Sequence, residues 1–209
     1  MMSLFDQLTL LLTGLVAIYI ISKFYRDFKV DVARPIHDIY YMIGFTVLLV
    51  AGLLMIFLGF DVLANPLVVV VAAFIPFALS IGLISEFYPK FEKMYLIFAL
   101  IGLILIFLTR TTESTVLRTL ILAVFHSVAG ITIFLVPILA SKNQKTTNQF
   151  IWVTVGGTLI GIGGIALAFL KAGTPILSKE LIFTILTPLL FLMAVSFAFG
   201  FAKKMDYQK

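Results

Sequence analysis

Between Lys93 and Arg110 the chain reads MYLIFALIGLILIFLT, residues 94–109, without one charged side chain. The stretch Leu100–Leu108 is apolar on every side. A membrane-barrel strand would be about 10 residues long and would alternate apolar with polar positions. No such alternation exists here, and in a water-free core the backbone must pair its own N–H and C=O groups within the segment. The reading is therefore a transmembrane helix.

The same pattern recurs outward from this stretch in both directions. Candidate spans fall at 4–22, 38–60, 67–85, 94–109, 119–140, 150–170 and 181–202. Crossing a bilayer takes about 20 largely apolar residues at a rise of about 1.5 Å each. Composition agrees: 62% of residues are hydrophobic and the mean hydropathy is +1.17, against about 45–50% apolar usage in soluble domains. The expected fold is all-α and polytopic, with seven membrane helices forming a single transmembrane domain over 1–209. No connection approaches the roughly 50 residues that a folded soluble domain needs, so no appended enzyme is expected. The chain has no cysteine, which removes disulfide and thiolate chemistry. Positive charge follows the first apolar run, at Lys23 and Arg26, instead of preceding it. A cleaved leader has the reverse order, so the first span is expected to be retained.

Alternate assignment of the loops to two sides divides the cations unevenly. One side holds Lys23, Arg26, Lys29, Arg34, Lys90, Lys93, Lys142, Lys145, Lys203, Lys204 and Lys209. The other holds Arg110, Arg118, Lys171 and Lys179, so the division is 11 against 4 of the 15 Lys and Arg. Short loops rich in Lys and Arg stay in the cytoplasm, which predicts an outer N-terminus and an inner C-terminus in the cell membrane. Tyr25, Tyr40, Tyr41, Tyr88, Tyr95 and Trp152 fall near the predicted inner ends, where amphipathic rings anchor at the headgroups. The net charge of +5 is then directed at anionic headgroups, and no nucleic-acid partner is expected.

An internal symmetry is also legible. Residues 37–90 lie on 149–202 without a gap, at an offset of 112. Gly44 meets Gly156, Thr46 meets Thr158, Gly52 meets Gly164, and Pro76 meets Pro188; further back, Val16-Ala17 meets Val128-Ala129. Spans one to three would repeat as five to seven, over 1–90 and 113–202, with the fourth as connector. Two such triplets run in the same direction and would be parallel repeats about an axis along the membrane normal. This three-one-three layout resembles that of small sugar carriers of the SWEET type in topology alone. The mid-span prolines here lie in the third and seventh helices, and no matching Pro-Gln signature accompanies them. Pro76 and Pro188 each remove a backbone donor and bend their helices, as packing kinks or as matched hinges.

Few side chains offer chemistry. His126, about seven residues into the fifth span, is the one ionisable group expected within the hydrocarbon, and such a group is a functional hypothesis by default. With Thr46, Thr158 and Thr187 it forms the expected polar site, if a cavity separates the two triplets. Ligation of haem or metal is the sharpest alternative for His126, but His37, at the start of the second span, stands roughly 20 Å away in a core about 30 Å thick. The two cannot clasp one iron. In Arg34-Pro35-Ile36-His37-Asp38, proline and the acid suit a helix start and its dipole. Gly157, Gly161 and Gly164 share one face of the sixth span, and small residues let helices approach closely in lipid. They are the expected packing or oligomer seam.

The carboxylates Asp6, Asp61, Glu86, Glu92, Glu113 and Glu180 all read as lying at or beyond span ends, so no buried acid is expected. The seventh span reads as lacking a lysine, since Lys179 precedes and Lys203 follows it, which argues against a Schiff-base chromophore. No zinc-protease helix motif, nucleophile elbow or phosphate loop occurs. The expectation is thus a non-enzymatic membrane protein without a cofactor, serving as a subunit or scaffold that meets the bilayer, other membrane subunits or copies of itself. The alternative is a transporter of a small solute or lipophilic ligand, built from parallel three-helix repeats.

Overall fold

Lipid-compatible helices account for nearly all of the structure, a computed structural model that describes residues 2–31, 35–171 and 177–207. Arg34 and Lys209, both counted in the charge bias, and residues 172–176 within the second repeat lie outside the described residues. The helices are α1 (Leu4–Val30), α2 (Ile36–Leu58), α3 (Pro66–Phe87), α4 (Glu92–Thr109), α5 (Thr115–Lys142), α6 (Trp152–Lys171) and α7 (Lys179–Tyr207). Short 3-10 turns at Phe60–Ala64, Pro89–Phe91 and Asn148–Ile151 join them. Among the described residues, seven helices are long and apolar enough to cross a membrane.

Local chemistry sets the ends. Ser3 caps α1 in a capping box with Asp6, Asn65 accepts from the Leu67 N–H ahead of Pro66, and Ser114 caps α5. These side chains satisfy amide donors that a helix start leaves free. Gly59, at φ +72°, ends α2 in a conformation that side-chain-bearing residues rarely adopt. Both α1 and α7 run well past the apolar stretches read from the sequence, to Val30 and Tyr207. Helix geometry does not stop where hydrocarbon stops. Pro76 and Pro188 sit inside α3 and α7, and α5 contains a third interior proline, Pro137.

Six helices close a ring in the order α1, α2, α3, α5, α6, α7, with α7 packed back on α1. Helix α4 stands outside it, against α3 and α5. The ring is filled. Towards the lysine-rich end its interior holds Phe24, Tyr41, Phe45, Phe150, Phe197 and Phe201, all buried. Their centroids lie 5.0 Å apart for Phe24–Tyr41, 4.6 Å for Tyr41–Phe201 and 5.5 Å for Phe150–Phe201, the spacing of favourable aromatic pairs. Towards the opposite end aliphatic side chains take over, including Leu10, Met55, Ile182 and Leu186. A smaller cluster of Phe77, Tyr95, Ile106 and Phe125 seats α4 on α3 and α5. Glycine is required where rings press on backbone. A Cβ on Gly82 would lie 2.5 Å from the Tyr41 ring, and one on Gly156 would lie 2.6 Å from the Phe197 ring.

Candidate functional site: a buried charge cluster

Phase along the helices, rather than distance from their ends, decides which polar side chains enter the ring. On α7, Phe197, Phe201 and Lys204 follow at the intervals that keep one helical face, and all three are buried. Lys203, turned by about 100°, is exposed. On α3 the buried Leu79 and Leu83 carry the same face on to Glu86. On α2, Tyr41 and Phe45 do so one turn from Asp38.

These elements converge at the lysine-rich end. The Lys204 Nζ donates to both oxygens of Glu86, each at 2.8 Å, with the two side chains 1% and 6% exposed. The Tyr41 hydroxyl donates to Glu86 Oε2 at 2.9 Å. The Lys204 ammonium also faces the rings of Tyr41 at 5.1 Å, Phe201 at 5.8 Å and Phe24 at 5.9 Å, where the ring quadrupole attracts a cation. His37 Nε2 lies 3.7 Å from the Asp38 carboxylate and 4.0 Å from Glu86. Asp38 is itself 3% exposed in the first turn of α2, where the helix dipole favours an anion. Burying such ions carries a desolvation penalty of several kcal/mol each. Direct pairing, the phenol donor and three aromatic faces offset it. Helices α3 and α7 are not neighbours in the ring order, so the Glu86–Lys204 pair reaches across the ring interior and closes its axis at this end.

Two sequence expectations are thereby corrected. Spans do carry buried carboxylates: Glu86 belongs to the last turn of α3 and Asp38 to the first turn of α2. The seventh helix does contain lysines, since α7 begins at Lys179 and includes Lys203 and Lys204, the last of them buried. Both errors arose from treating each charge as a boundary mark, when long side chains at helix ends can turn inward on the buried stripe. The signal was present in the Phe197/Phe201/Lys204 spacing. What it did not supply was which helix stood opposite.

The residues expected to form a polar site are not gathered in one place. Thr46 and Thr158 are exposed, and the Thr158 hydroxyl donates to the Thr154 carbonyl of its own helix at 2.9 Å. Thr187 is fully buried and donates to Asp6 at 2.6 Å, joining α7 to α1 at the end opposite the lysines. The Ser3 hydroxyl holds the other Asp6 oxygen at 2.6 Å. His126 is partly buried on α5, its ring 6.3 Å from that of Phe77, and its Nδ1 has no hydrogen-bond partner among the described residues. His37 is in the charge cluster at the start of α2, apart from His126. No group of three metal-ligating side chains occurs among the described residues. The glycines divide: a Cβ on Gly157 would lie 2.7 Å from Ile133 of α5, whereas Gly161 and Gly164 are exposed with no described atom within 4 Å.

Comparison with protein-family models, with curated proteins and with solved structures yields no match.

Proposed function

We propose that this multi-pass membrane protein is a non-catalytic subunit or scaffold of an assembly in the cell membrane. The observation that carries the reading is the filled ring. A polar solute needs a wet or polar path, lined by charge or hydrogen-bonding groups, and the axis is occupied by packed rings and aliphatic side chains. The buried Glu86 and Lys204 are consumed in a pair that ties α3 to α7, with Asp38 beside them at the start of α2 rather than along the axis. Gly161 and Gly164 leave a flat, outward strip on α6, a surface suited to a second membrane helix. The test is native mass spectrometry of the protein isolated from its own membrane in mild detergent. A partner or second copy at fixed stoichiometry is expected, and Gly161→Leu with Gly164→Leu should release it without lowering the melting temperature of the freed chain. A monomer alone, unaffected by these changes, would overturn the reading.

A second reading is a transporter built from parallel three-helix repeats, and the ring order favours it. Advancing α1, α2 and α3 to α5, α6 and α7 carries the contacts α1–α2, α2–α3 and α3–α5 onto α5–α6, α6–α7 and α7–α1. In that reading Pro76 and Pro188 are hinges of equivalent helices, and the Glu86–Lys204 pair is a closed gate. Uptake by proteoliposomes of a small or lipophilic solute, accelerated when the pair is removed, would establish it. A haem or metal role for His126 has only the unpartnered Nδ1 in its favour.

A further inference from the structure

A groove of about 360 Å³ runs between α1 and α7 on the outside of the ring, at the lysine-rich end. Its walls are two helical stripes. Val16 and Tyr19 come from α1; Val195, Phe199 and Ala202 come from α7, at intervals that keep one face. Polarity changes along the groove. The part further from the lysine-rich end is Val16, Val195 and Ala198, with no polar side chain, and the near end bears Tyr19, Lys203 and Asp206.

The charge at that end is not self-cancelling. Asp206 pairs with Lys23 at 3.0 Å, a bond that ties α7 to α1. Lys203 is exposed, has no ion-pair partner among the described residues, and holds its ammonium 5.7 Å from the Phe199 ring at the groove wall. The groove thus offers hydrocarbon along its length and one uncommitted cation, with a phenol beside it, at its polar mouth. Basic sites between membrane helices at the cytoplasmic surface recognise anionic lipid headgroups, and the charge bias assigns this end to the cytoplasm.

We propose that the α1/α7 groove binds an anionic phospholipid of the leaflet at the lysine-rich end. One acyl chain lies along Val16, Val195 and Ala198, and the phosphate meets Lys203 and the Tyr19 hydroxyl. The carboxylate of Asp206 faces the same mouth but is neutralised by Lys23, so the net charge presented to the headgroup is that of Lys203.

The test uses the full chain, delipidated in detergent, with native mass spectrometry of bound phosphatidylglycerol and phosphatidylcholine. Phosphatidylglycerol should be retained at least about fivefold more tightly, the ratio expected for one surface cation. Lys203→Gln should abolish that preference and leave phosphatidylcholine unchanged. Ala202→Phe, which fills the groove, should reduce retention of both lipids. Inorganic phosphate at millimolar concentration should neither raise the melting temperature nor displace the lipid. Equal retention of the two lipids by the unaltered chain would overturn the proposal. So would a phosphatidylglycerol preference that survives Lys203→Gln, or protection by inorganic phosphate equal to that by lipid. If Ala202→Phe does not fold, Lys203→Gln decides alone, because an exposed lysine is replaced.

Discussion

At each end of the ring α7 meets an acid from another helix, and the two ends solve the meeting differently. Thr187 reaches Asp6 with a neutral hydroxyl, and Ser3 of the same N-terminal turn already holds the other oxygen. Lys204 reaches Glu86 with a full charge, and both partners are almost entirely removed from solvent. The first contact adds a hydrogen bond to an acid that is otherwise provided for. The second creates two buried ions that depend on each other. A lost partner therefore matters far more at the lysine-rich end, and the largest predicted effect lies there. Lys204→Met removes the ammonium that holds both Glu86 oxygens, leaving the Tyr41 phenol and His37 beside them, and should destabilise the fold by about 3–5 kcal/mol, read as a fall in the melting temperature in detergent. Lys204→Met combined with Glu86→Leu should recover most of the loss, because neither charge is then stranded. A double variant as unstable as the single one would mean that the pair positions α7 in a way that apolar packing cannot replace.

The next effect separates the interior of the ring from its outside. Gly82→Ala places a methyl 2.5 Å from the Tyr41 ring, and Tyr41 supplies the phenol bond to Glu86. Overpacking of this kind should cost about 1–3 kcal/mol, with part of that cost transmitted to the cluster. Gly161→Ala meets open space and should leave the melting temperature of the monomer unchanged. Equal responses at the two glycines would show that ring packing is looser than the contacts imply.

That contrast also marks what the sequence could and could not reveal. The seven helices were legible because lipid leaves an apolar run of this length one way to satisfy its backbone; the stretch at 94–109 needed no further context. The extension of α1 to Val30 was not legible, because Lys23, Arg26 and Asp27 lower the apolar average while leaving helix formation unimpaired. The charge cluster was half legible. Lys204 keeps phase with Phe197 and Phe201, a pattern that a hydropathy average erases by counting every lysine as an end. Its partner was hidden, because Glu86 and Lys204 are 118 positions apart and only the closing of the ring brings their helices opposite each other. Thr46 and Thr158 were legible as hydroxyls inside spans, but the outward, exposed faces they occupy were not. Hydroxyls inside membrane helices bond to their own backbone, as Thr158 does with Thr154, so their presence in a span does not mark a cavity.

Thr187→Val tests the milder end. It removes the hydrogen bond to Asp6 at nearly constant volume, and the carboxylate keeps its Ser3 hydroxyl and amide donors. Bonds to charged groups contribute about 1.5–3 kcal/mol when nothing replaces them. Here Asp6 is only partly buried and water can take the vacated position, so a loss of about 1 kcal/mol is expected in the melting experiment. A loss matching that of Lys204→Met would erase the distinction between the two ends.

The smallest effect concerns the pair nearest solvent. Lys23 and Asp206 lie 3.0 Å apart with side chains 16% and 54% exposed, so water already solvates much of the acid, and exposed pairs contribute about 0–1 kcal/mol. Lys23→Gln should therefore shift the melting temperature little, and 1 M salt, with a screening length of about 3 Å, should remove what difference there is. The Lys204→Met deficit should persist in that salt, because screening ions cannot reach a pair enclosed by Phe24, Tyr41 and Phe201. Two charge pairs reach α7 within one turn of each other, and their opposite responses to salt would separate an ionic contact on the bundle surface from one inside it.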